Sequence, residues 1–161
     1  MKLEVTVTQQ DVDTGVRQSL FECAVVQAVR RSFPDLFVSM VWIKVHNATG
    51  APVMEVQADG TEKQAVLAKV SVFKHMPPSW REFVNENSLG HFDTSKIPEK
   101  GTEARKIWST RCRKEIEELR QLVGELPPEA VRWIRKFDNQ KITPEDVPFV
   151  FNLELNSTNN K

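Results

Sequence analysis

The chain has little of what redox, metal or nucleotide chemistry needs. It has two cysteines, Cys23 and Cys112, far apart and with no CxxC spacing, and three histidines, His46, His75 and His91, none clustered with a cysteine. That excludes the usual zinc and dithiol arrangements. Each cysteine sits in an apolar helical pattern and reads as a small buried thiol. No GxGxxG, no P-loop and no GxSxG is present, which removes the common nucleotide loops and the hydrolase elbow. No apolar run reaches about 18 residues and no h-region follows the N-terminus, so neither membrane insertion nor secretion is expected. A cytoplasmic location follows by elimination. Asn47-Ala48-Thr49 fits a glycosylation sequon but reads as a turn in that setting. Net charge is also lacking: 22 Lys and Arg balance 22 Asp and Glu over 161 residues. Nucleic acid is therefore not the expected partner, because such binding draws on a basic excess.

What is there is a fold pattern. Phe37–His46, FVSMVWIKVH, is the longest nearly unbroken apolar run, rich in β-branched and aromatic residues. It reads as a central strand buried on much of both faces. Leu3-Glu4-Val5-Thr6-Val7 alternates as a half-buried strand. Thr8 caps a short turn through Gln9–Thr14, and Gly15 is expected at positive φ at its end. Ser19 is expected to cap a helix from Leu20 to Ser32, with Phe21, Val25, Ala28 and Val29 as its apolar stripe and Pro34 as its stop. After the central strand, Val53–Ala58 and Ala65–Phe73 read as further strands, giving an antiparallel meander.

Pro77-Pro78 ends that pattern. Ser79 with Glu82 resembles a capping box for a helix Trp80–Asn85, and Asn87–Gly101 is irregular. Thr102–Leu126 reads as one long helix with the stripe Trp108, Cys112, Ile116, Leu119, Val123 and Leu126. The stripe packs on the domain's own sheet or serves self-association. Pro128 opens a helix with Ala130, Ile134 and Phe137 on one face and Trp133 nearby, Thr143–Asp146 is a capped turn, and Pro148–Leu155 alternates as a last strand. The expectation is one α+β domain, residues 1–155: a mainly antiparallel sheet of four to six strands with helices packed on one side. Residues 74–125 read as an insertion and residues 156–161 as a frayed polar tail. The last strand is expected beside the first.

Residues 96–141 hold 12 Lys and Arg against 8 Asp and Glu, a local basic bias whose signs interleave as on a solvated helix face. His91 and Asp93 would place an imidazole beside a carboxylate, without a nucleophile to serve. Asp11, Asp13 and Glu22 lack a metal-loop pattern and read as caps and a first-turn charge. The candidate site is a binding surface formed by Trp80, Arg81, Phe83, His91 and Phe92 of the irregular segment, followed by Lys96, Lys100, Arg105 and Lys106. Aromatic faces beside cations suit a stacked base with phosphate, or a protein partner. Trp80 and Phe83 covering the sheet is the plainer alternative.

The two ends of the chain carry a resemblance. VTVTQQDVDTGVRQSLFECAVVQAVRRSFPD, and later LPPEAVRWIRKFDNQ and VPFVFNLEL, resemble a group of small uncharacterised bacteriophage and prophage proteins. Their pattern is a strand ending in Val-Thr, then Gly-Val-Arg, a helix opening on CxxCP, a Leu-Pro helix and a Pro-Phe-x-Phe strand. The matching residues are Val7, Thr8, Gly15, Val16, Arg17, Cys23, Leu126, Pro127, Trp133, Ile134, Phe137, Asp138, Pro148, Phe149 and Phe151. Leu20 and Ala24 stand where the first cysteine and the proline would be, so the resemblance lends Cys23 no metal or redox role. It implies a phage setting in a bacterial host, and the group carries no activity to transfer.

The expected function is that of a non-enzymatic phage accessory protein acting by binding. It would inhibit host defence by sequestering a small anionic, nucleotide-like ligand or by blocking a host protein. No cofactor, metal or membrane is expected, and a homo-oligomer through the 102–126 helix is. The alternatives are a small hydrolase using His91 and Asp93, and a weak nucleic-acid binder using residues 96–141.

Overall fold

The computed structural model describes residues 1–84 and 91–158. In chain order the elements are β1 (Lys2–Val7), α1 (Gln9–Thr14), α2 (Ala24–Arg30), β2 (Phe37–Lys44), β3 (Met54–Val56), β4 (Glu62–Gln64) and β5 (Val66–Phe73). There follow α3 (Pro78–Arg81), α4 (Glu103–Leu119), β6 (Arg120–Glu125), α5 (Pro128–Asp138), β7 (Phe149–Glu154) and β8 (Asn156–Ser157). Short 3₁₀ turns stand at Thr94–Lys96 and Pro144–Asp146.

The fold is α+β. A four-stranded antiparallel sheet runs β2-β5-β6-β8, and β1 pairs antiparallel with β7, the first strand beside the last long one as expected. Val5 and Val7 lie opposite Phe151 and Phe149, and the inward set Val5, Val7, Phe151 and Leu153 is buried. α2 and α5 pack with this pair against one face of the sheet, around Val38, Ala68, Val70 and Val72. Pro128 starts α5 as a residue that needs no N–H there, and Ala130, Trp133, Ile134 and Phe137 form its buried stripe. The Trp133 ring stacks on Phe137 and Phe149, and its Nε1 donates to Asp146 O at 3.0 Å.

A polar clasp ties this side together. Thr8 caps α1 in a reciprocal box with Asp11. Arg31 reaches back to pair with the Asp11 carboxylate and donates to Thr6 O at 2.6 Å. Burial by itself raises the Asp11 carboxyl, but the hydrogen bonds from Arg31 and Thr8 outweigh it and hold the group below the ordinary range.

Five local expectations are corrected. The long helix stops at Leu119, and Arg120–Glu125 is a strand between β5 and β8. Gly124 explains the switch, since a Cβ there would lie 2.1 Å from Glu154 O, so only glycine lets the chain cross so closely. The helix expected from Leu20 starts at Ala24. Met40 N–H donates to Leu20 O (2.6 Å), so residues 20–23 are held at the edge of β2 rather than coiled. The meander is broken too, because β2 pairs directly with β5 and β3–β4 form a separate hairpin turning at Gly60 (φ 84°). Gly15 is extended at φ −69° and is needed for room: a Cβ would meet Asp11 O at 2.6 Å. The tail is not frayed at its start either, since Asn156 and Ser157 pair with Val123 and Leu122. The expected end of the Trp80–Asn85 helix and part of the irregular segment lie outside the described residues, and α3 ends at Arg81.

The described parts of the segment between β5 and β6 lie on the second face of the sheet. Along β2 and β5, alternation puts Phe37, Ser39 and Val41 with Phe73, Ser71 and Lys69 on the side opposite α2 and α5. α3, α4 and the Phe92–Ile97 stretch cover that side. The segment leaves and returns at one place, where Lys74 N–H donates to Leu119 O (3.0 Å).

Candidate functional site

Serine makes the room. Ser39 and Ser71 are direct cross-strand partners, set between the large pair Phe37–Phe73 and the pair Val41–Lys69. Two small side chains side by side leave a gap that the covering segment spans without filling. The result is a cavity of about 210 Å³ walled chiefly by Phe73, Trp80, Phe92, Ile97, Trp108 and Ile116, with the two serines in the sheet wall. The rings meet edge to face: Trp80 lies 5.6 Å from Phe73, 6.2 Å from Phe37 and 5.9 Å from Phe92 between centroids.

The cover is held by polar groups as much as by apolar contact. Glu115 on α4 accepts from Ser79 N–H (3.1 Å) and from the Ser79 hydroxyl, so its carboxylate caps the start of α3. The Cys112 thiol donates to Ser79 Oγ at 3.3 Å. Arg111 makes a two-pronged pair with Glu82 (2.8 and 3.2 Å) and reaches Glu115 at 3.5 Å. These bonds set Trp80 over the sheet. Phe83 packs on Trp108 at 5.4 Å, and the Arg105 guanidinium lies 5.0 Å from the Trp108 ring centroid.

Polar satisfaction is incomplete here. Among the described residues, two buried side-chain nitrogens have no hydrogen-bond partner, Trp108 Nε1 and Arg120 Nε. Both belong to residues of the cavity lining. Buried donors are almost always paired, and an unpaired one costs free energy, so these two N–H groups are the polar points of an otherwise apolar wall.

The expected binding residues divide. Trp80 and Phe92 are half-buried and line the cavity, and Phe83 is buried. Trp80 turns toward Phe37 and Phe73 of the sheet, as in the plainer alternative, while Phe92 packs on Phe21 and Trp80 and Phe83 packs on Trp108 of α4. Arg105 is committed to Trp108 and to Pro98 O, to which it donates at 2.9 Å. Arg81, Lys96, Lys100 and Lys106 are exposed and do not line the cavity. α4 and α5 lie on opposite faces of the sheet, so their cations do not converge on one surface. The stripe proposed for self-association is spent inside: Trp108 and Ile116 line the cavity and Cys112 is buried.

The residues considered for catalysis serve structure. His91 Nε2 lies 3.0 Å from Arg17 O, while the Asp93 carboxylate takes the Ser95 hydroxyl (2.6 Å) and N–H (3.1 Å). Those Ser95 bonds, both to Oδ1, hold the Asp93 carboxyl below its ordinary value. Asp13 accepts from Gln9, and Glu22 pairs with Arg30 at 3.2 Å ahead of α2. Among the described residues no group of three or more His, Cys, Asp or Glu is placed to hold a metal ion. Both cysteines are free and buried. Burial pushes the Cys23 thiol up to about 12 and also raises Cys112.

Sequence reasoning missed Ser39, Ser71, Trp108 and Arg120 as site residues. The serines carried a signal: each interrupts an apolar strand run, VSM and VSV, at a place where a large side chain would be ordinary. No helix of the described residues is long and apolar enough to cross a membrane. Compared with known proteins, the chain matches no family model, no curated protein and no solved structure.

Proposed function

We propose that the chain acts by binding, holding a small molecule with an apolar body in the cavity between the sheet and α3–α4 without making or breaking a bond. The observation that carries this reading is the cavity of about 210 Å³ itself, walled by aromatic rings and roofed by a polar-clipped cover. Protein interiors are close-packed and voids larger than a water are few. A dry cavity of about 150 Å³ accommodates benzene, so one of this size holds a single ring with substituents or a short chain. Edge-to-face walls suit an aromatic or aliphatic guest.

The phage setting implied by the chain ends belongs to the same proposal. A protein that encloses a small host molecule removes it from solution, which is sequestration and needs no turnover. A nucleotide with several phosphates is a poor fit, because Lys96, Lys100 and Lys106 do not line the cavity and its walls are apolar.

Trp80 and Trp108 line the cavity, so an entering guest changes tryptophan emission. Titration with indole, toluene and 1-octanol is expected to give a saturable change. The variant Ser71→Leu fills the space; it is expected to keep the far-ultraviolet dichroism and lose the response. No saturable change with any probe, or an unaltered response in folded Ser71→Leu, overturns the reading.

A further inference from the structure

Resting on that binding reading, we propose that the guest is a monocarboxylate: an apolar body lies against the rings and its single carboxylate pairs with Arg120. The lining names the charge. Of its residues Arg120 alone is charged, and none is acidic. Arg120 stands at the start of β6, opposite Phe73 and just past a register shift, on the strand face that carries Ser71 and Phe73. A guanidinium keeps its proton at any working pH and carries five donors in a plane. Here its Nε is buried and unpaired, and no side-chain hydrogen bond or ion pair from Arg120 occurs among the described residues. Every other arginine on the cover that touches an acid is already taken, as Arg111 is by Glu82 and Glu115. A cation beside an apolar cavity with no counter-charge calls for an anion, and planar carboxylate matches the guanidinium fork.

The second orphan donor shapes the rest of the guest. Trp108 and Arg120 stand twelve residues apart along α4 and its cap, about 18 Å along the backbone at the helical rise, and both side chains reach the same cavity. The guest's carboxylate lies at Arg120. A neutral acceptor oxygen elsewhere on it would take the Trp108 N–H. One guanidinium balances one negative charge, which separates this class from multiply charged phosphates.

The test uses matched pairs that differ in the head group alone: octanoate against 1-octanol, and 3-phenylpropanoate against 3-phenylpropanol, titrated at neutral pH by calorimetry and tryptophan emission. The acids are expected to bind about tenfold or more tighter than the alcohols. In Arg120→Met that preference is expected to vanish while alcohol binding persists, and Arg120→Lys to keep part of it, since an ammonium lacks the fork. Should Arg120→Met fail to fold, added salt provides the second readout, weakening the acids and not the alcohols in the unmodified chain. Alcohols binding as tightly as acids, or a preference that survives loss of the guanidinium, overturns the inference and leaves the binding site standing. Failure of both acids and alcohols to bind removes the site itself.

Discussion

The two faces of the β2-β5-β6 sheet are made of different material. Toward α2 and α5 the strands present Val38, Ala68, Val70 and Val72, all fully buried among valine, alanine and isoleucine from other elements. Toward α3 and α4 the same strands present Phe37, Ser39, Ser71 and Phe73 to a ring of aromatic edges and a void. Aliphatic close packing tolerates no rearrangement cheaply, because each side chain fills the space its neighbours leave. On the other face, rings meeting edge to face and clipped by carboxylate and guanidinium bonds leave a space between them. One face fixes the domain and the other encloses a space. The contrast teaches that a single pair of strands can do both when alternate residues are chosen for different ends.

The sharpest way to break this contrast is to carve the closed face. Ile134→Ala removes a side chain that is 1% exposed, and the expected loss is about 4 kcal/mol in urea denaturation. If it costs no more than a substitution on the aromatic side, the closed face is not what fixes the fold. Next comes the clasp on that side. Arg31→Met leaves the buried Asp11 carboxylate without its partner, and the expected cost is about 2 kcal/mol, moderated because the guanidinium is half in water. The native Asp11 value lies below the unfolded 3.8, so the clasp contributes fully above that pH. Its contribution is lost as pH falls below 3.8 through the lower native value. Urea midpoints taken between pH 5 and pH 2 are expected to drop more steeply in the unmodified chain than in Arg31→Met; parallel curves would remove the clasp from the account.

The cysteines sharpen the comparison, since one belongs to each side. Cys112 sits in the cover itself, on α4 against Ser79 of α3, and Cys23 in the aliphatic core. In native-state thiol labelling, Cys112 is expected to react about tenfold faster or more, through local opening, while Cys23 reacts at the rate of global unfolding. Equal rates would mean that the cover does not open by itself. The smallest effect belongs to the serine pair: Ser71→Val adds apolar volume to an existing gap, and stability is expected to rise by less than about 1 kcal/mol. A loss as large as that of Ile134→Ala would show that the gap is not free space.

Legibility followed the range over which each residue's role is decided. β1, α5 and β7 were readable because their periods of two and 3.6 already display the buried side, and the Thr8 and Thr143 caps were readable because a cap lies within one turn. β6 was not. Arg120–Glu125 continues a helical spacing from Trp108, and what stops it is the Glu154 carbonyl lying over Gly124, a contact with a strand far along the chain. Pairing in a sheet overrode the local pattern. Of the site, the aromatic half was visible in Trp80, Phe83 and Phe92, and the direction of Trp80 was not, since Phe73 and Phe37 meet it only after β2 has paired with β5. Ser39 and Ser71 gain meaning solely from register, which places one beside the other. Arg120 looked like one more cation on a mixed-charge helix until the strand turned it inward.

The hydrogen bond from Lys74 N–H to Leu119 O closes the neck of the covering segment. β5 and β6 are antiparallel neighbours there, so a tight hairpin would join them with no change to either strand. The described parts of the roof thus hang between two adjacent strand ends, where a short turn could stand in their place. A lineage could acquire or discard the chamber in a single genetic step, and the smaller domain left behind would keep its aliphatic scaffold while showing a greasy, unroofed wall to water.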